Sequence, residues 1–223
     1  MESINLSENE NIQVSTRIEE LALRLGRGAV LNSIPELMSI AKEVRQLEQS
    51  VIFDSLTKAY SLSSLIPEIK RSTALLSRLN GMTFGLGVVD LDNFKTINDN
   101  FGHDFGDQVL VTTVNRLKYV LRNSDKVFRT GGDEFVLYFD GIDCHEGIGT
   151  LRLDEIRRTL ATAIPYHDRF IDVSASVGYS QAFDNELGDI VYGDPDKVEQ
   201  IVKFIRIRAD KAMYDFKKLK TPK

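Results

Sequence analysis

Cys144 is the chain's only cysteine, so no intramolecular disulfide can form and a reducing cytosolic setting is expected. No apolar run approaches the ~20 residues that span a bilayer. The N-terminal stretch Met1-Glu2-Ser3-Ile4-Asn5 lacks the basic-then-apolar order of a secretion signal, and a cytoplasmic chain with no membrane span is expected. Basic residues are not in excess: 28 Lys and Arg against 33 Asp and Glu leave a formal net charge of -5. That balance speaks against a duplex nucleic-acid binder, which presents a basic stripe. It leaves nucleotide substrates open, because metal ions and a few lysines neutralise phosphates locally. There is no internal repeat and no low-complexity tract. What is present, 42% hydrophobic residues in 223, is enough for one ordinary domain with an appendage.

The first ~15 residues are polar and read as a tail. Thr16 with Glu19, and Ser33 with Glu36, form two capping boxes that predict short helices, with Pro35 in the first turn of the second. Leu37, Ile40, Val44, Leu47 and Val51 are spaced 3, 4, 3, 4, which fits a two-heptad coiled-coil seam or an amphipathic helix lying on its own domain. Residues 1–52 are therefore read as a tail and helical stalk or regulatory region, and 53–223 as the main domain. In the latter, α and β signals alternate. A helix is predicted over Ser64 to Leu79, and Met82 to Val89 is a nearly continuous apolar run, the mark of a strand covered on both faces. Short and long helices follow, broken at Gly102. Lys126 to Thr130 and Glu134 to Phe139 predict two strands joined through Gly131-Gly132. Leu153 to Ile164 reads as helix, and Ile171 to Tyr179 as one half-buried alternating strand. The last helix starts at Asp194-Pro195, with the aspartate as N-cap.

Two stretches carry chemistry. Asp90 closes the apolar strand, Asp92 follows it, and a helix beginning near Asn93 points its free N–H groups at the same place, a natural phosphate cradle. Asp133 and Glu134 lie on the hairpin turn. Clustered carboxylates repel unless a cation sits among them, so Mg²⁺ or Mn²⁺ is expected. In the run Asn98 to Asp107, an amide and a carboxylate match the donor and acceptor edges of guanine. Plainer readings stand beside this one: Asp104 as a helix cap, Gly102 as a helix end, His103 as a surface histidine.

The segments DLDNFKTINDNFGHDFGDQVL (Asp90–Leu110) and RTGGDEF (Arg129–Phe135) closely resemble the motifs of the GGDEF diguanylate cyclases, in the family's separation. The resemblance covers roughly Asp54 to Lys217. It implies an α/β (α+β) fold: a palm-like nucleotidyl-cyclase domain with a central, mostly antiparallel sheet flanked by helices. It implies a homodimer in which each protomer holds one GTP, condensing two GTP into cyclic di-GMP and two pyrophosphates. Carried over residue by residue, Asp90 and Asp133 are metal carboxylates, with the Leu91 carbonyl assisting. Asp133 also holds the general-base position, beside Glu134. Asn98 and Asp107 match guanine-recognition positions, His103 a substrate contact, and Lys95 and Lys217 phosphate contacts. Arg122 and Asp125 match the family's Arg-x-x-Asp product-inhibition motif; the plainer reading of that pair is a helix end and a surface aspartate.

Two departures are visible. The family's opening Asp-x-Leu-Thr-Gly-Leu-x-Asn-Arg-Arg survives here only as Asp54-Ser55-Leu56-Thr57, and Thr221 stands where a downstream arginine is usual. Other readings are a non-catalytic cyclic di-GMP receptor using Arg122 and Asp125, a cyclase making an adenine-containing dinucleotide, and a stalk-driven scaffold.

Overall fold

The computed structural model describes residues 42, 51–76, 81–183, 186 and 195–220. The chain divides into two compact units, Met1–Phe53 and Asp54–Lys223, and the second is described here. The capping boxes at Thr16 and Ser33, the seam from Leu37 to Leu47, the Asp194 cap and Thr221 lie outside the described residues. Among the described residues, no helix is long and apolar enough to cross a membrane.

A five-stranded sheet of order β1-β3-β4-β2-β7 forms the centre. Its strands are β1 (Tyr60–Ser61), β2 (Met82–Leu91), β3 (Lys126–Gly131), β4 (Glu134–Asp143) and β7 (Ala175–Gln181). Strand β1 runs parallel to β3, and every other pairing is antiparallel. A separate ribbon pairs β5 (Ile164–Tyr166) with β6 (Arg169–Ile171). The helices are α1 (Leu65–Leu76), α2 (Phe94–Phe101), α3 (His103–Val120), α4 (Thr150–Leu160) and α5 (Pro195–Lys220).

The strand period of two decides which helix each side chain meets. Phe84 and Leu86 of β2, with Val136 and Tyr138 of β4, join Leu65 and Ile69 of α1 and Val202 and Ile205 of α5 in one core. The alternate residues Val89, Leu91, Phe135, Leu137 and Phe139 join Phe105, Val109, Val114 and Leu117 of α3 in the other. With helices on both faces, β2 is buried continuously from Thr83 to Val89, as its unbroken apolar run predicts. Asp90 follows by the same parity on the α5 face, at the strand's end.

Some boundaries differ from the sequence reading. Helix α4 begins at Thr150 and stops at Leu160, because Ile164 is taken by the β5–β6 ribbon. The single strand expected over Ile171 to Tyr179 is two strands in different sheets. The break falls at residues 172–174, where the Ser174 carbonyl accepts a hydrogen bond from the Asp92 N–H (2.8 Å). Strand β7 is also not half-buried: Ala175 to Gly178 are all covered.

On the Gly178 face that cover comes from α5, while Ala175 and Val177 lie in the core on the other face. A Cβ on Gly178 would lie 2.1 Å from the Ala209 carbonyl oxygen and 2.1 Å from the Met213 nitrogen. Helix backbone therefore rests on strand backbone, and only glycine permits the contact.

Candidate active site

The carboxylates converge because three strand ends are held in register. Asp90 sits opposite Glu134 on one side and Ser176 on the other. The hairpin joining β3 to β4 turns at Gly131 (φ 141°) and Gly132 (φ 53°), backbone that a side chain would strain. The turn swings back so that the Asp133 carbonyl accepts a hydrogen bond from the Leu91 N–H (3.3 Å). Asp133 is half-buried and Glu134 exposed; the Thr130 hydroxyl donates to the Glu134 carbonyl (3.2 Å).

Lys217 reaches this point from the last turns of α5, and its ammonium pairs with Asp90. The hydrogen bond to Asp90 raises the lysine's pKa against the opposing effect of burial, and the charges of Asp90, Asp92 and Asp133 add to the rise. An ammonium in the field of three carboxylates is what the expected repulsion calls for. Asp90, Asp133 and the Leu91 carbonyl are hard oxygen donors of the kind a divalent cation takes. Among the described residues, no group of three His, Cys, Asp or Glu side chains gathers at metal-ligand spacing, so a main-chain or substrate oxygen has to complete any such site.

Asp92, which the sequence groups with the charge cluster and whose charge Lys217 feels, has a second task. Its two oxygens accept hydrogen bonds from the hydroxyls of Ser174 (2.6 Å) and Ser176 (2.7 Å), pinning the end of β2 to β7. Nothing in the sequence links an aspartate to serines more than eighty residues away.

Asn93 then takes a left-handed conformation (φ 57°), and α2 starts at Phe94 with no side-chain cap. The first-turn N–H groups are thus left for another acceptor, with Lys95 exposed beside them. The expected break at Gly102 (φ 86°) turns α2 into α3. Asn98 lies against α3 so closely that a Cβ on Gly106 would sit 1.8 Å from its Oδ1. This packing places the carboxamide next to the residue preceding Asp107. Asp107 and His103 are exposed on α3. Asp104 falls within the first turn of α3, so it is not the cap.

Sequence reasoning missed Arg129. Its Nη1 donates to both oxygens of Asp54 (3.1 and 3.2 Å), while Nε and Nη2 donate to the Gly132 carbonyl (3.1 and 2.7 Å). Burial pushes the Asp54 carboxyl up, but hydrogen bonds from the Thr57 hydroxyl and N–H, with the charge and hydrogen bond of Arg129, outweigh it and hold the pKa low. The parallel β1–β3 pairing, Ser61 opposite Arg129, makes the contact possible. The surviving first letter of the opening motif and the arginine before the glycines form one clamp.

The second site is arranged differently from its sequence reading. Arg122 is exposed, but Asp125 is not a surface aspartate: its side chain is 0% exposed. It accepts hydrogen bonds from the Arg122 N–H (2.9 Å) and the Asp140 N–H (3.2 Å), and it pairs with Arg152.

The sheet thus brings Asp90, at the end of a central strand, beside the hairpin that carries Asp133 and Glu134. The chain matches the family model described as diguanylate cyclase, GGDEF domain, over residues 51–222, and it belongs to that family. It is 31% identical over 157 residues to diguanylate cyclase DgcS of Shewanella oneidensis, covering 70% of this chain and 51% of the relative. It is 29% identical over 209 residues to diguanylate cyclase DgcP of Pseudomonas aeruginosa, covering 92% of this chain and 28% of the relative. The chain thus spans about half or less of the length of these relatives. The coiled coil and GGDEF domain of DgcB from Caulobacter crescentus, solved in complex with c-di-GMP, shares the fold with a TM-score of 0.67 at 23% identity. That likeness covers 90% of this chain and 95% of DgcB's.

Proposed function

We propose that this chain is an active diguanylate cyclase that condenses two GTP into cyclic di-GMP and two pyrophosphates. The observation that carries the reading is the Lys217 ammonium paired with Asp90 at the open end of an otherwise buried strand, beside the hairpin that carries Asp133 and Glu134. A dead receptor has no use for such a cluster.

In this reading the guanine lies between α2 and α3, where Asn98 and Asp107 face its edge and His103 flanks it. Lys95 and the uncapped first turn of α2 receive phosphate oxygens, and Lys217 shares its charge between phosphate and Asp90. The 3′-oxygen of one GTP forms a bond to the α-phosphorus of the other. The bond from that phosphorus to the bridging oxygen breaks, pyrophosphate leaves, and the hydroxyl proton passes to Asp133, with Glu134 beside it. Repeating the step with roles exchanged closes the ring. Asp90, Asp133 and the Leu91 carbonyl would hold Mg²⁺ or Mn²⁺, which would supply charge neutralisation there.

Each protomer binds one nucleotide, so turnover belongs to a homodimer. Residues 1–52 serve as the stalk or regulatory region and 53–223 as the catalytic domain, in the cytoplasm where GTP is supplied. Cyclic di-GMP returns to the Arg122 and Asp125 site as an inhibitor, in keeping with the product bound to the related DgcB domain.

Mass spectrometry of products after incubation with GTP and Mg²⁺ tests this directly, with an Asp133→Asn control. Cyclic di-GMP from the parent and none from the control supports it. No product at high protein concentration, with Mn²⁺ tried as well, refutes it in favour of a receptor.

A further inference from the structure

Among the described residues, Asp125 is the one charged side chain counted with the buried polar groups. Two of its hydrogen-bond donors are main-chain N–H groups and cannot leave without unfolding the turn. The third, Arg152, can. It stands on α4, its side chain is 14% exposed, and its guanidinium lies over the Phe139 ring, 5.1 Å from the centroid. Arg122, three residues before Asp125, is exposed, and its guanidinium has no hydrogen bond or ion pair among the described residues. The site is therefore half open: its arginine faces solvent while its aspartate is covered.

What covers it matters chemically. A guanidinium offers a carboxylate coplanar N–H donors in a fork. The N1–H and N2–H₂ edge of guanine offers the same pattern. Arg152 donates from Nη2 to Oδ2, which the Arg122 N–H also uses, while the Asp140 N–H takes Oδ1, so a guanine edge that needs both oxygens competes with Arg152 for this carboxylate.

We propose that Arg152 is an internal stand-in for guanine on Asp125, and that its release sets the product concentration at which feedback begins. The inference rests on the Arg122 and Asp125 site being the product site. A ligand that needs the open form has its apparent affinity reduced by the fraction of open molecules. A closed form favoured tenfold weakens product binding about tenfold.

The test uses the full chain with Arg152→Ala and Arg152→Lys. GTP turnover is followed against added cyclic di-GMP, and cyclic di-GMP is titrated calorimetrically, a reading that needs no turnover. Arg152→Ala is expected to lower the inhibition and dissociation constants about tenfold. Arg152→Lys, a point charge without the fork, is expected to fall between it and the parent, with uninhibited turnover unchanged in both. Should leaving Asp125 without its arginine prevent folding of the alanine variant, the lysine variant decides alone. Unchanged product affinity in the variants overturns the stand-in, and weaker affinity overturns it in favour of Arg152 gripping the product. The underlying site fails separately if Arg122→Ala binds cyclic di-GMP as tightly as the parent.

Discussion

Replacing Gly178 by alanine tests how Lys217 is positioned. The new Cβ would lie 2.1 Å from the Ala209 oxygen, 2.1 Å from the Met213 nitrogen and 2.7 Å from the Met213 Cα. All three are main-chain atoms, so no side-chain rotation relieves the clash, and α5 has to retreat by more than an ångström to reach ordinary contact. The retreat opens the small cluster of Val88, Ala209 and Met213. Overpacking of this kind costs about 3 kcal/mol. In a domain of this size that lowers Tm by about 6–12 °C. Lys217 lies one helical turn beyond Met213, so its ammonium leaves Asp90, and a misplacement of ~1 Å costs about 100-fold in turnover. Thermal denaturation and a pyrophosphate-release assay on Gly178→Ala measure both. A Tm within ~2 °C of the parent, with turnover intact, would refute the view that this backbone contact seats the helix.

Other substitutions separate the remaining roles. Asp90→Asn is expected to abolish turnover while GTP binding survives better, and chelation of divalent metal with EDTA should do the same; equilibrium binding of a non-hydrolysable GTP analogue beside the activity assay checks this. Gly106→Ala adds helix propensity worth up to ~1 kcal/mol but evicts the Asn98 carboxamide, so KM for GTP should rise about tenfold while Tm holds or increases. Asp54 and Arg129 should show a coupling of about 1 kcal/mol in a double-mutant cycle. Because the Asp54 pKa is lowered in the folded state, its contribution is complete above the ordinary aspartate value of 3.8 and fades as pH falls through the lower native one. The Tm difference between parent and Asp54→Asn should therefore shrink in acid, and a constant difference from pH 7 down to the acid limit of folding would contradict it.

The fold could be read where one physical rule dominated. The run from Met82 to Val89 could only be a strand covered on both faces, and Gly131-Gly132 could only be a turn, so Asp90 and the Asp133–Glu134 pair fell into place with them. The reading failed where long-range partners decide. Ile171 to Tyr179 alternates as one strand would, yet the bond from Asp92 to Ser174 divides it between two sheets. Asp92 reads from the sequence only as a member of the charge cluster, and its second task, holding Ser174 and Ser176, is set by partners more than eighty residues away. Asp125 is polar and close to a helix end, and the partners that hold it inside, the Asp140 N–H and Arg152 of α4, are distant in the sequence. Gly178 gave no signal, because a glycine inside an apolar strand says nothing about which backbone will press upon it.

The clamp at Arg129 has a consequence of its own. The peptide enters the catalytic domain at Asp54, and one guanidinium connects that entrance to Gly132, the residue before Asp133. A displacement of Asp54 would therefore draw directly on the hydrogen bonds that hold the Gly132 carbonyl. Lysine could not take its place, since a single ammonium cannot face two acceptors with fixed geometry. The residue at which this unit begins and the turn that carries Asp133 thus share one anchor, and losing Arg129 would loosen both at once.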